Sequence, residues 1–219
     1  MPPLKIEFFH DVVCAWCFVL APRLKLLQEE LNLDIQHRSI ILQTSRSAMI
    51  ERFGSMPEAK HTILGHWQSC AHAEDVKRIN IEGMRQQGFE YPTGLLAGLA
   101  CQAAKALEGN PGHERLFDRL QEAHLVHSRN IGDQATVLAV AAEAGFEPEA
   151  FAAALQQQAP QLLEQDLALG RRLNVSSVPS LLIDGRFLIC GALTFEQLRR
   201  TITLARADLG THTEVQAAP

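Results

Sequence analysis

The hydrophobic positions change period along the chain, and the changes divide it. "LKIEFFH" alternates, with Leu4, Ile6 and Phe8 on one face, while Phe9 makes the second face apolar as in a strand covered on both sides. After Cys17 the apolar residues Leu20, Leu24, Leu27 and Leu31 recur at helical spacing, with Pro22 inside the run as a predicted kink. "LDIQHRSI" alternates again, placing Leu33, Ile35 and His37 against Asp34, Gln36 and Arg38. The first 41 residues therefore predict strand, helix, strand: a βαβ unit.

From about Ser45 to about Arg172 no strand pattern occurs. "SMPEAKHTILGHWQSCAHAEDVKRINIEGMRQQG" predicts helix with a stop near Gly88. Thr93 is the expected N-cap of "GLLAGLACQAAKALEG", which Gly109 ends, and "PGHERLFDRLQEAHLVHS" follows as a further helix. Asp133 opens "QATVLAVAAEAG", closed by Gly145, and "EPEAFAAALQQQ" is helical too. In "APQLLEQDLALGRRLNV" the expected buried set is Leu162, Leu163, Leu167 and Leu169. Strands return as "VPSLLID" and "RFLICG" around Asp184-Gly185, a two-residue hairpin signal. The last helix has Thr194 as cap and Phe195, Leu198, Ile202 and Ala205 on one face. The tail 210–219 is expected to fray.

Composition narrows the class. The chain has 219 residues, enough to bury a core without disulfide staples, and 47% hydrophobic with 21% charged residues is a soluble globular balance. A net charge of -5 gives no basic surface for nucleic acid. No run approaches the roughly 18 apolar residues of a membrane span, and the N-terminus does not read as a signal peptide, so the expected compartment is the cytoplasm. Five cysteines, an odd and sparse set, argue against a disulfide framework. Cys101 and Cys190 sit in apolar runs and read as buried small hydrophobes.

"FFHDVVCAWCFVLAP" places Cys14 and Cys17 between a strand and a helix. Three readings compete. A zinc clasp needs a second ligand pair, and none is present in the usual spacing. His61, His66, Cys70 and His72 lie close in sequence, with His66 and Cys70 at i, i+4, but a polar helix surface with one buried thiol explains them as well. A static bridge would close a loop too short to constrain much of the chain. A redox dithiol fits the context best. At the helix N-terminus, free amides and the positive end of the dipole stabilise a Cys14 thiolate, while Cys17 one turn inward serves as the resolving thiol. "SSVPSLLID" adds Pro179 just before a strand, where a cis turn would leave the backbone of Val178 free for a peptide substrate; an ordinary strand-start proline is the simpler alternative.

On "FFHDVVCAWC", "RNIGDQATVLAVAAEAGF" and "LNVSSVPSLLIDGRFLICGA" the chain resembles the thioredoxin superfamily over nearly its whole length. More narrowly it is similar to the DsbA-like branch with a helical insertion, in the FrnE-like group of dithiol oxidoreductases. The resemblance implies an α/β thioredoxin-like fold over 1–44 and 159–209, an all-α insertion over 45–158, and a flexible tail over 210–219. It implies Cys14 as attacking thiol, Cys17 as resolving thiol, and cis-Pro179 against the pair. Trp16 and Val178 would shape the substrate surface, and His10 and Asp11 would tune its charge, contact substrate or relay a proton. A capping and turn role is the alternative for His10 and Asp11. No metal and no cofactor is implied, with glutathione or a thioredoxin system as reductant for a protein or small-molecule disulfide. The sequence departs from the group where Ala15-Trp16 replaces Pro-Trp and where "YPTGLLAG" lacks the usual asparagine. The group is also similar to the kappa-class glutathione transferases and 2-hydroxychromene-2-carboxylate isomerases. Those carry serine at the position of Cys14, so cysteine at both positions argues against a glutathione-dependent transferase or isomerase. A non-catalytic binding module is the third class. The pattern shows no coiled-coil seam and leaves oligomeric state open.

Overall fold

The structure is a computed structural model that describes residues 2–215. The elements are β1 (Leu4–His10), α1 (Ala15–Glu30), β2 (Leu33–Ser39), α2 (Arg46–Phe53), α3 (Met56–Ala73), α4 (Ile81–Gln86), α5 (Leu95–Leu125), α6 (Gln134–Glu143), α7 (Pro148–Gln157), α8 (Ala159–Arg172), β3 (Ser180–Ile183), β4 (Phe187–Cys190) and α9 (Phe195–Val215). The four strands form one mixed sheet in the order β2-β1-β3-β4. β1 runs parallel to β2, with Phe8 opposite His37, and antiparallel to β3, with Phe8 opposite Leu181. Together with the helices this is a thioredoxin-like fold of the DsbA kind, with the helices α2 to α7 carried between β2 and α8.

Local chemistry sets many boundaries. Ser45, Ser55 and Asp133 accept from the backbone amides of Ala48, Glu58 and Thr136 and so cap α2, α3 and α6. At α9 the Thr194 hydroxyl accepts from the Gln197 amide while Gln197 Oε1 accepts from the Thr194 amide, a reciprocal capping box. Asp184 and Gly185, at φ 49° and 69°, make the tight turn that joins β3 to β4.

The structure departs from the sequence pattern in five places. The long helix expected to run to Gly88 breaks after Ala73, because the buried Glu74 carboxylate accepts from the amides of Arg78 and Ile79 and from Arg78 Nε. A short helix, α2, precedes it. The cap of α5 is Gly94 rather than Thr93. α8 buries Leu163, Asp166 and Gly170, whereas Leu162, Leu167 and Leu169 are only half-buried. The rotation serves β2. Asp166 accepts from Arg38 Nη1 (3.1 Å), the Ser39 amide (3.0 Å) and Gln102 Nε2 (2.6 Å), fastening α8 and α5 to that strand. The last helix continues to Val215, past the expected boundary at 209, and residues 216–219 of the expected tail lie outside the described residues.

α5 holds the helical block to the sheet. At Gly109 the backbone leaves the helix at φ 68° and ψ -157°, a conformation open to glycine, and splits α5 where the sequence predicts two helices. The break carries Asn110 to the outer edge of β2, where its side chain accepts from the His37 amide (2.8 Å) and donates to the Ile35 carbonyl (2.6 Å). The edge strand thus has its backbone groups met by a side chain.

α1 is wedged between two cores. Cys17, Leu20, Leu24 and Leu27 pack on the sheet side with Phe8, Phe117 and Leu181; Ala15, Phe18 and Val19 pack against Met49, Trp67 and Tyr91 of the helical block. One residue after Pro22, the buried Arg23 donates to both Asp75 oxygens (2.8 and 3.0 Å), Ala73 O (2.6 Å) and Leu193 O (2.9 Å). This guanidinium ties α1 to segments on both sides of it, and its buried charge is paired and hydrogen-bonded as burial requires. Among the described residues no helix is long and apolar enough to cross a membrane.

Candidate active site

β1 ends at His10, and the chain turns through Asp11, Val12 and Val13 into α1. The Cys14 amide donates back to Asp11 O (3.1 Å), which closes the turn. Cys14 is the N-cap of α1 at φ -82° and ψ 108°, and its carbonyl accepts from the amides of Cys17 (3.0 Å) and Phe18 (3.3 Å). Both cysteines are free thiols. Cys14 is 8% exposed and Cys17 fully buried. Cys14 Sγ lies 3.7 Å from the Val178 carbonyl oxygen. The Val178–Pro179 peptide bond is cis, Pro179 is buried, and its carbonyl accepts from the Gly191 amide (2.8 Å). The structure therefore brings together residues 164 positions apart.

The turn is held from behind by side chains of the helical block. Gln121 Nε2 donates to the carbonyls of Val12 (3.2 Å) and Cys14 (3.1 Å). The Tyr91 hydroxyl donates to Val13 O (3.2 Å) and lies 3.1 Å from His124 Nε2. Asp11 accepts from the amides of Val13 (3.3 Å) and Leu42 (2.8 Å). Its carboxylate abuts Gly94 at the start of α5, so closely that a Cβ there would stand 2.0 Å from Oδ1. Only glycine fits that approach.

Burial dominates the electrostatics. It pushes the Cys17 thiol well up, and the neighbouring Cys14 thiol adds to the shift. It raises Asp11 to about 6, against the three backbone amides that favour its charged form. A thiol with a small exposed edge, a fully buried thiol that holds its proton, and a buried carboxyl raised to about 6 thus sit within seven residues of chain.

In front of Cys14 opens a cleft of about 220 Å³, mostly apolar, with Trp16, Met49, Phe53, Trp67 and Val178 among its lining. Trp16 is half-buried on its wall. Arg52 and His66 lie at its rim, both exposed. Such a cleft suits an apolar side chain or a flat organic group beside the thiol.

Three expectations change. His10 and Asp11 are 0% and 1% exposed, so neither contacts substrate from solvent; β1 carries His10 inward, and the turn that follows buries Asp11. Cys190 is exposed, because edge strand β4 points it outward, where it accepts from Ser180 Oγ (3.3 Å). His66 and Cys70 join no third ligand: Cys70 is a buried thiol pushed up to about 12 by burial, and among the described residues the group of three potential metal ligands is instead His10, His37 and His113. Gln121, Tyr91, Gly94 and His113 have no signal in the sequence, since their roles exist only once α5 folds back on β1.

A four-stranded mixed sheet, a cysteine pair opening α1 and a proline turn facing it define a thioredoxin-like protein of the DsbA class. The chain matches the model of the DSBA-like thioredoxin domain over residues 5–203, and it belongs to that family. It is 27% identical over 181 residues to the ClpXP adapter protein SpxH of Bacillus subtilis, covering 82% of this chain and 58% of that one. The chain thus spans little more than half the length of that curated relative. Among solved structures, a putative protein disulfide isomerase from Nitrosomonas europaea superposes with a TM-score of 0.76 at 20% identity, over 96% of this chain and 99% of that one. The cytosolic disulfide reductase DsbM from Pseudomonas aeruginosa superposes with a TM-score of 0.69 at 22% identity, over 97% and 100%.

Proposed function

We propose that the protein is a thiol-disulfide oxidoreductase that acts on protein or small-molecule disulfides through Cys14 and Cys17. The observation that carries this reading is the placement of the Cys14 thiol at the N-cap of α1, at the mouth of an apolar cleft, against Val178 O and over the buried Cys17. In the reducing direction the Cys14 thiolate attacks one sulfur of the substrate disulfide. A mixed disulfide forms and one substrate thiolate leaves. Cys17 then loses its proton and attacks Cys14 Sγ, which releases the second substrate thiolate and leaves the Cys14–Cys17 disulfide. Two electrons and two protons pass to the substrate, and an external thiol such as glutathione or a thioredoxin-type dithiol restores the pair.

Burial favours the neutral Cys17 thiol, so its proton needs an acceptor. We assign that proton to Asp11, a buried carboxyl raised to about 6 whose charge acts on Cys17. Val178 offers its backbone to a peptide substrate, and Trp16 with Val178 supplies the apolar contact. A cytosolic setting favours reductase or isomerase work over net oxidation, and DsbM, named a cytosolic disulfide reductase, supports that direction. Cysteine at both positions weighs against the glutathione transferase or isomerase alternative; glutathione-dependent turnover that survives Cys17→Ser would favour it. A second reading, an adapter that binds a partner protein through the cleft, draws on the likeness to SpxH.

The test is reduction of insulin and of a small aromatic disulfide by the full chain and by Cys14→Ser. The dithiol reading expects loss of turnover in the variant. Unchanged turnover contradicts it, and an inactive wild type that still captures a partner favours the adapter.

A further inference from the structure

Beyond the cysteine chemistry, we infer that His10, His37 and His113 form a binding site for a divalent transition-metal ion of the zinc type.

The three come from β1, β2 and the second half of α5. Phe8 pairs with His37 and His10 with Ser39, so His10 and His37 stand diagonally on one face of adjacent strands. The break at Gly109 hooks Asn110 onto the His37 amide, and the next turn of helix brings His113 up beneath both rings. His10 Nε2 lies 3.2 Å from His37 Nδ1 and 3.2 Å from His113 Nε2. Each histidine offers one ring nitrogen to a set within 4.8 Å of one another. In a tetrahedral site with Zn–N near 2.0–2.1 Å, neighbouring ligand nitrogens are about 3.3 Å apart, so the two short edges already have that length.

Hydrogen bonding alone serves the cluster poorly. A ring nitrogen of neutral imidazole is either a donor or an acceptor. With His10 Nε2 contacting two nitrogens, one proton or one lone pair has to serve both neighbours in every neutral arrangement. His10 Nδ1 and His113 Nδ1 lie outside this shared contact; they are buried without a hydrogen-bond partner, and a cation held by the Nε2 atoms leaves them so. A cation accepts three lone pairs at once and needs no proton.

The ligand set selects the ion. Three imidazoles with no oxygen ligand suit zinc, cobalt, nickel or copper and not magnesium or calcium. Phe8 and Phe117 pack around the rings, with the His10 and Phe117 centroids 3.9 Å apart, and fix their orientation. Access comes from the His37 side. His37 lines a cavity of about 170 Å³ between α1 and α5, with the carboxylates of Glu114 and Asp118 on its wall. Three protein ligands and an approach from that cavity leave a fourth position for water.

The experiment uses tag-free, full-length protein carrying Cys14→Ser and Cys17→Ser, so that the dithiol takes no metal, titrated with Co2+ alone. The expected result is one Co2+ per chain with tetrahedral visible absorption and no thiolate charge-transfer band, displaced by Zn2+. His37→Gln and His113→Gln, each checked for folding by circular dichroism, should weaken binding about tenfold or more. No binding, a thiolate band, or unchanged affinity in both variants overturns the proposal. If the variants do not fold, imidazole 15N spectra of the parent decide: Zn2+ should move the resonances of three of the nine histidines, and unmoved buried histidines overturn it.

Discussion

Asp11 and His10 are chain neighbours, both buried at the end of β1, and their surroundings differ in kind. Around Asp11 the polar atoms find partners near and far: Leu42 and Val13 donate to the carboxylate, Gln121 donates to Val12 and Cys14, and Tyr91 donates to Val13. Around His10 two ring nitrogens have no partner and one contact point is shared by three rings. The first cluster is a closed network that holds a turn in one shape, which is what a nucleophile at its apex requires. The second brings three imidazole nitrogens to one point. Two neighbouring residues, one ending β1 and one opening the turn, thus belong to clusters built for different tasks.

The largest expected contrast is at the thiol itself. Cys14→Ser should abolish disulfide reduction, measured by insulin precipitation, while leaving metal binding by the histidines intact. If reduction persists, the division between the two clusters fails.

Next in size is the pH dependence of Asp11. Its folded pKa, about 6, lies above the ordinary carboxylate value of 3.8, so between those values the folded state binds more protons than the unfolded one. Stability therefore falls as pH rises from about 4 to 6, by an upper bound of roughly 3 kcal/mol from this group. Asp11→Asn should flatten that slope in urea unfolding measured across the range, and should slow the release of the mixed disulfide. An unchanged slope removes Asp11 from the account. Gly94→Ala forces a methyl group against Asp11 Oδ1 and should destabilise by about 1–3 kcal/mol, read as a lower Tm. Gln121→Leu strips a donor from two buried carbonyls and should cost about 1–2 kcal/mol, with a smaller loss of activity than Cys14→Ser.

What the sequence reveals follows the range of the interactions. The βαβ start, the cysteine pair at a helix entry, the Asp184-Gly185 hairpin and the caps at Asp133 and Thr194 are all written within a few residues, and the structure has them there. His37 even reads as part of an inward face, from the alternation of β2. The partners of that face do not. His113, Gln121 and Gly94 meet β1 and its turn only because α5 bends at Gly109 and lies along the sheet, which no local pattern states. α8 teaches the same from the other side. Its leucines predict one buried stripe, but Arg38 and Ser39 need an acceptor, so the helix turns Asp166 inward and leaves Leu167 and Leu169 half-buried. A satisfied polar contact between elements overrides the apolar count within one of them.

The central claim is that Cys14 and Cys17 work as one two-electron couple. Equilibrating the full chain in glutathione buffers of graded ratio, quenching with acid and counting free thiols by alkylation and mass measurement tests it directly. The account predicts that both thiols are lost in a single two-electron step as the Cys14–Cys17 disulfide forms, and that the step vanishes in Cys14→Ser; a Cys14 and Cys17 that stay reduced throughout, or that add glutathione one at a time without pairing, would contradict it.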